Sequence, residues 1–93
     1  MTHEVKSWPE WFGLVASGVK TFEVRRFDRD YAAEDTLVLR EWIPGQDRYT
    51  GRTLTKRITY VMIGGQWGIP SDLCVMSIAD WTPASPTPGE TDE

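Results

Sequence analysis

The chain has 93 residues, with 10 Lys+Arg, 14 Asp+Glu, a formal net charge of -4, 40% hydrophobic residues and one cysteine. That is the length of one domain. A lone Cys74 excludes an internally disulfide-stapled scaffold, and with His3 as the one histidine it speaks against a thiolate–imidazole metal site. Neither a metal nor an organic cofactor is expected. No apolar run approaches the ~20 residues of a membrane span. The opening Met1-Thr2-His3-Glu4 has neither the basic nor the apolar region of a signal peptide, so a cytoplasmic location away from membranes is expected. The charge is unevenly spread. Residues 20–57 hold nine of the ten bases against seven acids, whereas Glu90, Asp92 and Glu93 crowd the C-terminus. This is no DNA-coating field, but it leaves room for a local phosphate-contacting patch.

A short strand is predicted at His3–Lys6. Ser7-Trp8-Pro9-Glu10 then reads as a helix start, with Ser7 and Glu10 spaced as a capping box and proline in the first turn. Trp8, Trp11, Phe12 and Val15 fall at i, i+3, i+4 and i+7, one apolar stripe expected to pack into the core. Gly18 supplies a left-handed C-terminal stop. From Lys20 the period changes to two, with Phe22 and Val24 on one strand face and Thr21, Glu23, Arg25 and Phe27 on the other. Thr36–Ile43 is a second β-rich run and Pro44–Asp47 a turn. Thr53–Ile63 is a long strand with Leu54, Ile58, Tyr60 and Met62 on one face. Gly64–Gly68 reads as a flexible loop carrying Trp67, and Leu73–Trp81 as the last strand. The order β-α-β-β-β-β gives an α+β, mainly β fold. One short helix cannot cover five strands, so the sheet is expected to curl into a small barrel. The three prolines and three acids of Thr82–Glu93, with no large apolar residue, read as a disordered tail behind a folded domain of residues 1–81.

There is no Walker A motif, dinucleotide fingerprint or zinc pattern. The chemistry concentrates in Gly18-x-Lys20-x-x-Glu23-x-Arg25, at the junction of helix and strand. A lysine and an arginine beside a carboxylate can bind a phosphate or a base edge and polarise a reacting group; as a solvated strand face they would form only a cross-strand ion pair. Glu41 shares the parity of Leu37 and Leu39. It either points inward, where Lys20 or Arg25 would serve as the required cationic partner, or lies past the buried part of its strand. Trp42, Tyr49 and Trp67 sit near turns, where each can stack a base or pack a rim. His3 reads as a terminal strand residue or as a base.

Taken in order, His3–Lys6, Pro9-Glu10-Trp11-Phe12, Gly18-x-Lys20-Thr21-Phe22-Glu23-Val24-Arg25, Asp28–Tyr31, Leu39–Trp42 and Tyr49–Arg52 resemble the DUF3850 family. That family belongs to the ASCH group of the PUA-like superfamily and is common in bacteria and their phages. The resemblance runs through residues 3–81 and implies a small PUA-like β-barrel with a helix after the first strand. It further implies RNA or nucleotide binding in a cleft lined by the Gly-x-Lys-x-x-Glu-x-Arg segment. Two departures stand out. ASCH amidohydrolases acting on acetylated cytidine carry a threonine nucleophile three residues after the motif lysine, where this chain has Glu23, and a carboxylate does not replace a hydroxyl in that acyl chemistry. Relatives also place a glycine before the aspartate in the turn ahead of the second strand. Here Glu34 precedes Asp35, which argues against a positive-φ turn.

The favoured reading is a monomeric RNA- or nucleotide-binding module. Lys20 and Arg25 contact phosphate or a base edge, Glu23 accepts from a base amino group, Arg40 and Glu41 line the cleft, and Trp67 closes it from a mobile loop. A small hydrolase acting on a modified nucleoside or RNA, using Lys20, Glu23 and Glu41, is the alternative, so the question of catalysis stays open; a phage or host regulator binding a protein partner is the third reading. Deleting Thr82–Glu93 is expected to leave stability unchanged, and a loss above ~1 kcal/mol in denaturant unfolding would show that the tail packs.

Overall fold

A computed structural model describes residues 1–82; of the segment read as a tail, 83–93 lie outside the described residues. Six elements follow in the expected order: β1 (Thr2–Ser7), α1 (Pro9–Ala16), β2 (Phe22–Arg26), β3 (Thr36–Ile43), β4 (Arg48–Ile63) and β5 (Leu73–Asp80). The strands form one sheet in the order β1-β3-β4-β5-β2. β1 runs parallel to β3, and every other neighbouring pair is antiparallel. No helix among the described residues is long and apolar enough to cross a membrane.

The strand alternation is the one that buries a single sheet face. Val5, Leu37, Leu39, Ile58, Met76 and Ile78 point inward, and α1 lays Phe12 and Val15 over them. The sheet curls into a half-barrel that stops short of closure. Its edge strands β1 and β2 form no backbone ladder with each other among the described residues. Side chains cross the gap instead. Arg25 Nη1 donates to the carbonyl of Lys6 at 3.0 Å, and Arg29 Nη1 donates to that of Glu4 at 3.1 Å. Behind this seam the edge of the His3 ring meets Tyr31, with centroids 4.8 Å apart.

Four local expectations need correction. Ser7 does not cap the helix. It pairs with Glu41 in the β1–β3 ladder, and Trp8 becomes the N-cap with no side-chain hydrogen bond. Within the stripe, only Phe12 and Val15 are fully buried, while Trp8 and Trp11 are 51% and 44% exposed. Trp8 is extended, at φ -65° and ψ 150°, so helical spacing does not apply to it, and Trp11 lies at the margin of the stripe. In β4 the period of two breaks at Thr59. Ile58 faces Ile78 and Tyr60 faces Ser77, so Thr59 is an extra bulged residue and Tyr60 turns out to solvent while Val61 packs on the core. Finally, the turn before β3 does take a positive φ, at Glu34 (75°), which a non-glycine residue adopts at a cost of about 1–2 kcal/mol.

That turn is fixed by Asp35. Its carboxylate accepts from His3 Nε2 at 2.8 Å, from the Ala32 N–H at 3.1 Å and from the Met1 amino group at 3.1 Å. Burial pushes the carboxyl upward, but the bonds from His3 and the amino group outweigh it and hold Asp35 below the ordinary aspartate value. The unfolded chain therefore takes up this proton more readily than the folded one. The stabilisation is complete above about pH 4 and is lost as pH falls through the lower folded value. Urea unfolding is expected to show stability declining below about pH 4, with Asp35→Asn flattening that part of the curve. An unchanged slope in the variant would remove Asp35 from the acid response.

Candidate functional site

The unpaired seam opens into a cleft of about 550 Å³. One wall is the end of β1 and the helix start, Lys6, Ser7, Trp8 and Trp11. The other is Lys20 with Phe22, Glu23, Val24 and Arg25 of β2. Because the cleft runs between two strand edges, residues of both parities reach it, including Lys20, which lies just outside β2.

Lys20 is delivered by the helix C-terminus. Gly18 adopts φ 82°, and the N–H groups of Val19 and Lys20 both return to the carbonyl of Leu14 at 3.0 Å. The ammonium then donates to Glu23 Oε2 at 3.0 Å and to the Phe22 carbonyl at 2.8 Å. Arg25 Nη1 lies 3.5 Å from Glu23 Oε1. Each carboxylate oxygen thus faces its own cation. Glu23 is 4% exposed, so this is not the solvated ion pair of an open strand face but an almost fully buried carboxylate between two donors. Two unit charges of one sign against one of the other leave the cluster net positive.

Of the remaining residues singled out from the sequence, the fold brings none to the cleft wall. Glu41 does point inward, but its partners are Thr50, whose Oγ1 donates at 2.7 Å, and Arg52 at 3.6 Å, rather than Lys20 or Arg25. A bulge between Arg40 and Trp42 sets Glu41 against the facing strand β4. Arg40 has the opposite parity. Its guanidinium covers the Tyr49 ring at 3.7 Å and lies 3.7 Å from Glu4. Trp42 packs its ring against Tyr49, with Lys6 Nζ 4.0 Å above it, so both aromatics pack on the outer face of the sheet. Trp67 is 84% exposed and lies beyond Arg26, at the far end of β2 from Lys20, and it does not line the cleft. Its loop is tied by bonds from Gly64 N–H to Leu73, Gly65 N–H to Ile69 and Gln66 Nε2 to Ile63. Gly64 is required there, since a Cβ would fall 2.0 Å from the Pro70 carbonyl oxygen. His3 serves Asp35, and Cys74 is fully buried, with burial pushing its thiol upward, so neither offers a nucleophile to the cleft.

Sequence reasoning missed the aromatic wall. Trp8, Trp11 and Phe22 present half-exposed rings around the buried carboxylate. The Trp-Pro step that starts the helix was the available signal, because an N-cap residue cannot share the helix's buried face. Chemically the cleft offers planar apolar surfaces for stacking, two cations for an anion, and a fixed acceptor for an N–H donor.

A profile of the family described as a domain of unknown function, DUF3850, matches residues 2–78. The chain is also similar to an "Uncharacterized 12.9 kDa protein in GpA 3'region" of Escherichia phage P2, at 45% identity over 65 residues. The match covers 70% of this chain and spans 58% of the phage protein's length.

The division of the helix between core and cleft gives a direct comparison. Phe12→Ala is expected to cost ~3–5 kcal/mol, enough to unfold so small a domain. Trp11→Ala should keep the thermal transition within a few degrees of the parent. Equal losses in both variants, read by circular dichroism, would return Trp11 to the core.

Proposed function

The chain belongs to the DUF3850 family, and on that footing we propose that it is a binding module for RNA or a nucleotide, with an ASCH-type cleft between β1 and β2. One observation carries this reading: Glu23 is held almost fully buried between Lys20 and Arg25 in a cleft walled by half-exposed tryptophans. Base stacking on an aromatic side chain contributes ~1–3 kcal/mol and tolerates any base. A phosphate needs cations that retain hydrogen-bonding capacity, and an ammonium has three donors and a guanidinium five. Glu23 accepts only, so it selects a ligand edge bearing N–H. The cleft volume lies within the ~300–1,000 Å³ range of small-ligand sites, which suits one nucleotide unit, free or flipped from a strand.

The cations are not interchangeable in this scheme. Arg25 also ties β2 to β1 through the Lys6 carbonyl, so its loss opens the seam as well as removing charge. Lys20 makes no bond across the seam and is the cleaner probe.

The test is titration with nucleoside monophosphates and short single-stranded RNAs at two salt concentrations. Lys20→Ala is expected to weaken binding and to lower the salt slope of log K by about 0.7 for a single strand. Glu23→Gln keeps the shape and one acceptor oxygen, and should change affinity by less than about tenfold. A general base at Glu23 would instead show as a ~10²–10⁴-fold fall in turnover with binding little altered. Absence of any nucleotide or RNA binding by the parent would overturn the reading and favour a protein partner.

A further inference from the structure

Two of the residues lining the cleft are almost fully buried, Glu23 on β2 and Ser7 on β1, each 4% exposed. The others are partly or fully exposed and form the rim. Glu23 has partners for both oxygens. Ser7 has none. Its Oγ is the buried side-chain polar atom without a hydrogen-bond partner among the described residues.

This is an unusual state for a serine. A buried hydroxyl left unpaired costs about 1–3 kcal/mol, and nearly all such groups in folded proteins find a partner. Two partners are near at hand yet unused. The helix start follows at once, but Trp8 occupies the N-cap position. Glu41 stands opposite Ser7 in the β1–β3 register, but its carboxylate is taken by Thr50 and Arg52. A hydroxyl used by neither, on a residue that lines the cleft, is left with its hydrogen-bonding capacity for a ligand.

We infer that Ser7 is a specificity-determining residue, whose hydroxyl binds the edge of the heterocyclic base while Lys20 takes the phosphate at the rim. This rests on the nucleotide reading above. A hydroxyl can also donate to a phosphate, but the two more exposed cations, Lys20 and Arg25, already attract that group, which leaves the Ser7 hydroxyl for the base. It suits a neutral amide or amidine edge, in which a ring N–H or amino group lies beside a ring nitrogen or carbonyl. The donor of that edge goes to Glu23 and its acceptor takes the Ser7 O–H. Arg25 holds the two reading groups in register, since one of its nitrogens touches both Glu23 and the carbonyl of Lys6, the residue before Ser7.

The experiment compares the parent, Ser7→Ala and Lys20→Ala in calorimetric titrations with the four nucleoside 5′-monophosphates and with ribose 5-phosphate, alongside thermal unfolding without ligand. Ser7→Ala removes an unpaired hydroxyl, so its unfolding temperature is expected to equal or exceed that of the parent. Its affinity for the tightest nucleotide should fall about five- to tenfold, the equivalent of one net hydrogen bond. Its affinity for ribose 5-phosphate should stay within about twofold, whereas Lys20→Ala should weaken both ligands. A clear drop in unfolding temperature for Ser7→Ala would make the serine a structural residue and overturn the inference, whatever binds. Nucleotide binding that depends on Lys20 but is unmoved by Ser7→Ala would overturn it while leaving the nucleotide reading in place. Failure of the parent to bind any of the five probes would overturn the inference, and the proposed function falls with it only if short single-stranded RNAs are not bound either.

Discussion

Arg25 sits where two strand edges approach without pairing, and much of the molecule depends on what its guanidinium does there. Five strands and one eight-residue helix cannot seal a barrel of this size with backbone bonds alone. The sheet ends at β1 on one side and β2 on the other. Closing the ladder would satisfy the edges but leave no cleft. Leaving it open would expose two rows of peptide groups. Arginine side chains resolve the conflict by reaching from β2 and the loop after it to carbonyls of β1. The gap between the edges then has a fixed width and a defined lining.

The same side chain sets the electrostatics of that lining. A buried carboxylate is costly unless compensated, and Glu23 is compensated from both sides. Lys20 comes from the helix terminus and Arg25 from the strand itself, so the cluster also fastens the end of α1 to β2. Charge pairing, seam closure and positioning of the helix are thus coupled through three residues within six positions of sequence. The aromatic wall depends on this indirectly, because Trp8 and Trp11 face the cleft only while α1 keeps its angle to the seam.

The fold was largely legible in the sequence because each element carries its own period. Thr36–Ile43, read as a strand from its β-rich composition, forms β3 over those residues, and Gly18 stops the helix with the expected left-handed turn. The Lys20–Glu23–Arg25 cluster was legible because charge of both signs was concentrated at a junction of elements. Other features were not legible, since they follow from pairing between strands. The bulge at Thr59 reverses the faces of Tyr60 and Val61, and no local pattern announces it. Of the two readings open for Glu41 the inward one holds, but its partners come from the facing strand rather than the cleft. Ser7 carries a capping signature, and a strand ladder outcompetes it. Trp67 was placed in the cleft by its glycine-rich loop, whereas the register of β2 on β5 puts that loop at the other end.

The capped seam has a further consequence for how copies of the chain behave in a crowded solution. A free strand edge is a template on which another chain can add a strand, and natural sheets that leave such edges bare are prone to aggregate. β1 is a six-residue edge strand and β2 a five-residue one, and their inner borders face the same gap. Guanidinium groups lying over the Glu4 and Lys6 carbonyls occupy the acceptors that an incoming strand would need. The arginine that shapes the cleft is therefore also the guard that keeps one copy from being mistaken by another for the missing strand.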